Sequence, residues 1–186
     1  PNRLRSFAAM AIGLIGSRDR TLLDAAILQG LVGGAETAGA SEDLQVGAVV
    51  GLGVFGDPAA SPALLRIATD AAQGERVRAH AVIALGKLGD RASVKVLRDL
   101  LSDRRTEVRR SAAVALGLLV DRDDVATIDR LAEVAKSGSD LALRHFAMIA
   151  LGEIGAARGR DVLVSVVREG ASGERTFAAL ALGIYG

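Results

Sequence analysis

Arginine recurs at one register of this chain. Arg5, Arg78, Arg109, Arg144 and Arg175 each stand eight residues before a glycine of a repeated apolar cluster, and Gln45 fills the remaining place. Such a column suits two chemistries. It can offer fork-shaped donors to a carboxylate or phosphate partner, or it can form an internal ladder to carboxylates and turn carbonyls of its own and adjacent segments. Acids for the ladder stand close by, with Glu75 three residues before Arg78 and Asp140 four before Arg144. The turn aspartates Asp57, Asp90 and Asp121 recur as well. Histidine occurs only as His80 and His145, and cysteine is absent. Without thiolates there are no disulfides and no sulfur metal sites, and the two imidazoles fall at different registers. No Ser/His/Asp arrangement stands at a recognisable spacing, and no glycine-rich loop follows a strand to cradle phosphate. No catalytic residue, cofactor or metal is therefore expected.

The elements that would position these side chains are written in the glycine clusters AIGLIG, GLGVFG, ALGKLG, ALGLLV, ALGEIG and ALGIYG. Their inner glycines are Gly13, Gly53, Gly86, Gly117, Gly152 and Gly183, spaced by 40, 33, 31, 35 and 31 residues. A period in this range is the mark of a repeat architecture. Five residues before each glycine stand Ala8, Ala48, Ala81, Ala112, Ala147 and Ala178. Two residues before stand Ala11, Gly51, Ala84, Ala115, Ala150 and Ala181. These positions share nearly one helix face, and a face limited to Ala and Gly implies that another helix passes close by. That contact offsets the cost of about 1 kcal/mol for each Gly in a helix. Larger residues beside it, such as Leu85 with Leu88 and Leu151 with Ile154, would fill the flanking space.

Each period reads as two helices joined by a short turn. The repeats are expected over 2–34, 42–70, 75–103, 106–136 and 139–170, with a partial one over 173–186. Thr106 is a candidate N-cap, as are Ser139 and Asp140. The stretch GGAETAGASED between the first two repeats reads as a connector. The expected fold is all-α: a right-handed α-α superhelix of the HEAT/armadillo-like solenoid type, one array of about five and a half repeats. The chain begins at Pro1, and its sixth first helix lacks a partner. It is therefore expected to be a fragment of a longer protein, with Ala178, Ala181 and Leu182 facing a missing second helix and open to self-association.

The pattern R-x-x-A-x-x-A-L-G-x-[LI]-G-D, as in VRAHAVIALGKLGD from Val77, VRRSAAVALGLLVD from Val108 and LRHFAMIALGEIG from Leu143, resembles the HEAT repeat. The likeness is to the short repeats associated with phycobilisome lyases, and it covers essentially the whole chain. It implies the fold and says little of activity. Deoxyhypusine hydroxylase, which shares this repeat class, holds iron through His-Glu pairs. Here His145 takes the matching position but is followed by Phe146, and His80 by Ala81.

The resemblance also makes the second helices the lining of a concave face. Their outward positions include Arg66, Lys95, Arg98, Asp129, Arg130, Glu133 and Arg168. Signs alternate, so this is either a solvated surface or a mixed-charge site for a protein or peptide. Twenty-three basic and 22 acidic residues leave a net charge of +1, and only 3% of residues are aromatic. Neither nucleic acid nor membrane is expected as a partner. The longest apolar runs are too short to span a bilayer, and the lack of cysteine is compatible with the cytoplasm. The function expected is a non-catalytic scaffold for protein–protein interaction. The alternative is a bilin-lyase-like or other enzyme-associated module holding a small ligand in its groove.

Overall fold

The computed structural model describes residues 2–18, 25–37 and 39–185. Among them every regular element is helical, and the helices fall into two compact units, 1–93 and 94–186. The first unit holds α1 (Asn2–Arg18), α2 (Ala25–Glu36), α3 (Glu42–Phe55), α4 (Ser61–Thr69) and α5 (Glu75–Leu88). The second holds α6 (Val94–Leu100), α7 (Thr106–Leu119), α8 (Val125–Ser137), α9 (Leu141–Ile154), α10 (Ala157–Glu169) and α11 (Ser172–Ile184). Short 3-10 turns, Pro58–Ala60 and Arg91–Ser93, lead into α4 and α6.

Helix ends follow local chemistry. Ser41 caps α3 through the Leu44 N–H, Asp124 caps α8 through the Thr127 N–H, and Asp140 caps α9 through the Ala142 and Leu143 N–H groups. Thr106, an expected cap, is instead the first residue of α7, and the cap position belongs to Arg105, which makes no side-chain cap bond. Gly56, Gly89 and Gly155 end α3, α5 and α9 with φ of 75°, 75° and 66°, a conformation that only glycine adopts without strain. Val120 stands at that place after α7, and there the chain leaves the helix extended, with φ of −90°.

In the expected connector, Gly33–Glu36 complete α2. Ala35 is fully buried and Gly34 lies close to the Ala48 methyl, so packing on α3 carries the helix past its glycines. The start expected for that helix, 21–24, lies outside the described residues.

Packing runs in two sets of contacts. First helices stack on first helices, α1 on α3 and α3 on α5 in one unit, α7 on α9 and α9 on α11 in the other. Each second helix packs mainly on the first helix that follows it: α2 on α3, α4 on α5, α6 on α7, α8 on α9 and α10 on α11. The stacking is glycine on alanine. A Cβ at Gly53 would lie 2.8 Å from the Ala84 methyl, and one at Gly117 would lie 3.0 Å from the Ala150 Cα. Gly13 meets Gly51 and Gly152 meets Ala181 in the same way. Within each unit the inner glycine of one repeat thus receives the small residue two places before the inner glycine of the next.

Ala8 and Ala11 depart from the expected columns, because they are exposed. Ala11 stands at the register that meets the preceding first helix, and none precedes α1 among the described residues, while Ala8 lines a mostly apolar pocket with Ile27 and Gly30 of α2. At the other end, Ala178 and Ala181 do not await a missing helix; both are fully buried against α9 and α10. The exposed residues of α11 are Leu180 and Ile184, and Gly183 has nothing within 4 Å. Aliphatic side chains fill the interior of each unit, Leu52, Phe55, Leu64, Ile67 and Leu85 in the first, Leu116, Ile128, Leu131, Leu151 and Leu163 in the second. Each such side chain contributes about 1.5–3 kcal/mol.

Candidate functional site

The arginine column lies where each first helix begins, beside the end of the helix before it. Arg78 is almost fully buried and its Nε donates to the Ala68 carbonyl at 3.0 Å. Arg144 donates to the Ala135 and Lys136 carbonyls at 3.1 and 3.2 Å. Gln45, the exception in sequence, does the same to the Ala35 carbonyl at 3.3 Å. Arg109 reaches the Asp103 and Arg104 carbonyls at 2.9 and 3.2 Å. The Ala35, Ala68, Ala135 and Lys136 carbonyls lie in the last turns of their helices and lack intrahelical donors, and a cation beside them also answers the negative end of the helix dipole. Those of Asp103 and Arg104 belong instead to the turn after α6. Arg5 and Arg175 are exposed.

The same arginines reach forward one repeat. Arg109 Nη2 lies 3.5 Å from Asp140, and Arg144 pairs with Glu174. Glu174 also accepts the Ala171 N–H at 3.2 Å, which ties the start of α11 to α9. Asp140 is the densest of these nodes. It accepts from Arg110 Nε and Nη2 at 3.2 and 3.0 Å, besides the two N–H groups it caps. Burial by itself would raise its carboxyl, but the Arg110 hydrogen bonds, the Leu143 N–H and the Arg110 charge outweigh burial and hold it below the ordinary range.

Charges on the second helices also pair across one repeat. In the first unit Arg66 Nη2 meets Glu36 at 2.8 Å, both exposed. In the second, Arg98 reaches Thr127 Oγ1 at 3.3 Å and Asp124 at 3.9 Å, while Asp129 pairs with Arg158. Lys95 pairs with Asp99 on its own helix at 3.3 Å. Arg130 is held by Glu133 at 2.5 Å and by Ser102 Oγ at 2.7 Å. Arg130 and Glu133 line a polar cleft of about 250 Å³ together with Arg109, Ser139 and Asp140. Arg168 is exposed on the last turn of α10. Of the seven candidates, the structure joins Arg130 and Glu133 at one cleft. The others stand as separate pairs, or alone on their helices.

The histidines sit apart. His80 Nδ1 contacts the carbonyl of Arg76 in its own helix at 2.7 Å. His145 stacks on Phe177, ring centroids 3.8 Å apart and planes 10° from parallel. Among the described residues no group of three or more His, Cys, Asp or Glu side chains is placed to hold a metal ion.

Known proteins fit this arrangement of stacked helix pairs. The family described as HEAT repeats matches residues 28–117 and again 100–183. The chain belongs to the HEAT-repeat family. Human deoxyhypusine hydroxylase, solved in complex with glycerol, aligns over 100% of this chain and 80% of its own, with 17% identity and a TM-score of 0.54. The complex of CpcE and CpcF of phycocyanin lyase from Nostoc sp. PCC7120 aligns over 85% of this chain, with 24% identity and a TM-score of 0.67. This chain spans 64% of that structure's chain. At these identities the likeness is one of HEAT fold. No curated protein matches the sequence. No helix among the described residues is long and apolar enough to cross a membrane.

Sequence reasoning missed Arg110 and Asp140 as a node. The doubled arginine of VRRSAAVALG was a usable signal, since one member fills the column and the second must find another acceptor.

Proposed function

We propose that this HEAT-repeat chain is a non-catalytic scaffold that binds an extended segment of a partner protein along the second-helix side of its 94–186 unit. In that unit the mixed-charge residues Lys95, Arg98, Asp129, Arg130, Glu133 and Arg168 form the contact surface, Arg66 belonging to the other unit, and the arginine column holds the repeats in register. One observation carries the reading: Arg130 and Glu133, held by Ser102 and by each other, present both signs of charge in the lining of a polar cleft. A backbone segment needs donors and acceptors together, and an extended repeat surface supplies them at a regular pitch. Contacts at a solvated rim contribute about 1 kcal/mol or less each, so affinity should fall as salt rises.

The test is capture of a partner from lysate by the native chain and by the double variant Arg130→Glu, Arg168→Glu. Arg98 is left intact because its bonds to Asp124 and Thr127 brace the start of α8. The variant should keep its circular dichroism and hold the captured partner more weakly. Equal retention by the two proteins would refute the surface. The second reading is an enzyme-associated module with a small ligand in the groove, supported by the fold shared with the phycocyanin lyase complex. A linear tetrapyrrole whose absorption is unchanged by the protein would remove its bilin form.

A further inference from the structure

A second pocket lies on the opposite, first-helix side of the 94–186 unit, among α7, α9 and α11. Its volume is about 320 Å³ and its lining is mostly apolar, with Val114, Ile149 and Ala150 on its walls. In a chain with four phenylalanines, two of them, Phe146 and Phe177, converge there together with His145. The stack of His145 on Phe177 stiffens one wall. Burial pushes the His145 imidazole below its ordinary range, so that wall carries little positive charge near neutrality.

Glu153 stands at the other end, seven residues and about 10 Å along α9 from Phe146. Its carboxylate leans on α7, where the missing side chain of Gly117 leaves room: a Cβ there would lie 2.5 Å from Glu153 Oε2. The side chain as a whole is exposed, but this contact partly buries the carboxyl and pushes it above the ordinary range. Among the described residues it pairs with no cation. A pocket with aromatic faces at one end and a lone carboxylate at the other has a definite chemical complement. An anion would be repelled. A wholly apolar guest would strip water from the carboxylate without replacing it. A metal ion would find one ligand where it needs several. An alkylammonium answers both ends, its charge meeting the carboxylate and its apolar stem the ring faces.

We infer that this pocket binds an alkylammonium group, with the cation at Glu153 and its apolar stem lying against Ile149, Phe146 and Phe177. The inference is independent of the scaffold reading, since it uses the other side of the unit and none of the same residues. The chemistry is shared by a free amine and by a lysine side chain of a partner, and the probes separate them. The full chain, labelled for NMR, is titrated with n-hexylamine, with n-hexanol as the neutral isostere and hexanoate as the anion. A separate titration uses a short peptide with one lysine, beside its norleucine counterpart.

Shifts should centre on Phe146, Glu153 and Phe177, and the charged contact to Glu153 should make the amine bind about tenfold more tightly than the alcohol. Glu153→Gln should abolish that preference, and Phe146→Ala should weaken the amine several-fold. Glu153 and Phe146 are both exposed, so each variant should keep the native circular dichroism. Preferential binding of the lysine peptide over its norleucine form would assign the source to a partner protein; binding of hexylamine alone would assign it to a free amine. Alcohol and amine binding equally, a preference that survives Glu153→Gln, or no binding by either ammonium probe would overturn the inference.

Discussion

Two alanine substitutions at the same repeat position should move stability in opposite directions. At Gly152 in α9 a Cβ would collide with the Ala181 carbonyl oxygen and lie 3.0 and 3.1 Å from its carbonyl carbon and Cα. These are backbone atoms of α11, so no rotamer change relieves the overlap and the two helices must separate. Overpacking of that kind costs about 1–3 kcal/mol. The gain in helix propensity from Gly to Ala, about 1 kcal/mol, offsets part of it. At Gly183 nothing lies within 4 Å, so only the propensity gain remains, reduced by its place in the last turn of α11. Gly152→Ala should therefore lose about 1 kcal/mol, which is about 2–4 °C in thermal midpoint for a chain of this size. Gly183→Ala should leave the midpoint unchanged or raise it slightly. Repeat arrays need not unfold in one step, so thermal and urea midpoints followed by circular dichroism are the proper readout. If both variants raise the midpoint equally, α9 and α11 do not meet at that register, and the glycine-on-alanine account of the stack is wrong.

The buried arginine offers a second test. Arg78→Met keeps the apolar stem but removes the donor to the Ala68 carbonyl, which should cost about 1–3 kcal/mol, whereas Arg175→Met, at an exposed place in the same column, should cost almost nothing. Equal urea midpoints for the two would show that the column does not hold helix ends. Asp140 should govern part of the acid limb of stability. Its folded carboxyl is depressed, so its contribution is complete above about pH 4, the ordinary aspartate value, and is lost as pH falls through its own lower value. Asp140→Asn should lower the urea midpoint at pH 7 and flatten the loss below pH 4; an acid limb identical to the native one would place that sensitivity elsewhere.

The fold was legible because most repeated residues meet the same physical demand, Ala8, Ala11 and Gly183 of the first and last repeats excepted. Gly53, Gly117 and Gly152 must lack a Cβ for the next first helix to approach, so glycine recurs and the period shows. Arg78 and Arg144 must reach carbonyls left open at a helix end and Arg109 those of the turn after α6, and Gln45 serves because it is long and carries a donor. The order of pairing was less legible. Short turns suggested that each first helix pairs with its own second helix, yet α8 packs mainly on α9 and α10 on α11, since the apolar face of a second helix is completed by the repeat after it. The charges of the second helices were readable as mixed in sign, but not as pairs. Arg130 with Ser102 and Arg158 with Asp129 join residues 28 and 29 apart, and only the stacking distance decides which of them meet.

The first-helix pocket was hidden for the opposite reason. Averaging over repeats suppresses whatever occurs once. Six residues before the inner glycine stand Phe7, Gly47, His80, Ser111, Phe146 and Phe177, so aromatic rings are adjacent in that column only at the last two repeats. One residue after the glycine stand Leu14, Val54, Lys87, Leu118, Glu153 and Ile184, and the sole acid is Glu153. The two departures fall on neighbouring helices and line one cavity. Packing is a need that every repeat shares, so it writes the columns. Recognition of a ligand is needed once, so it is written where the columns break.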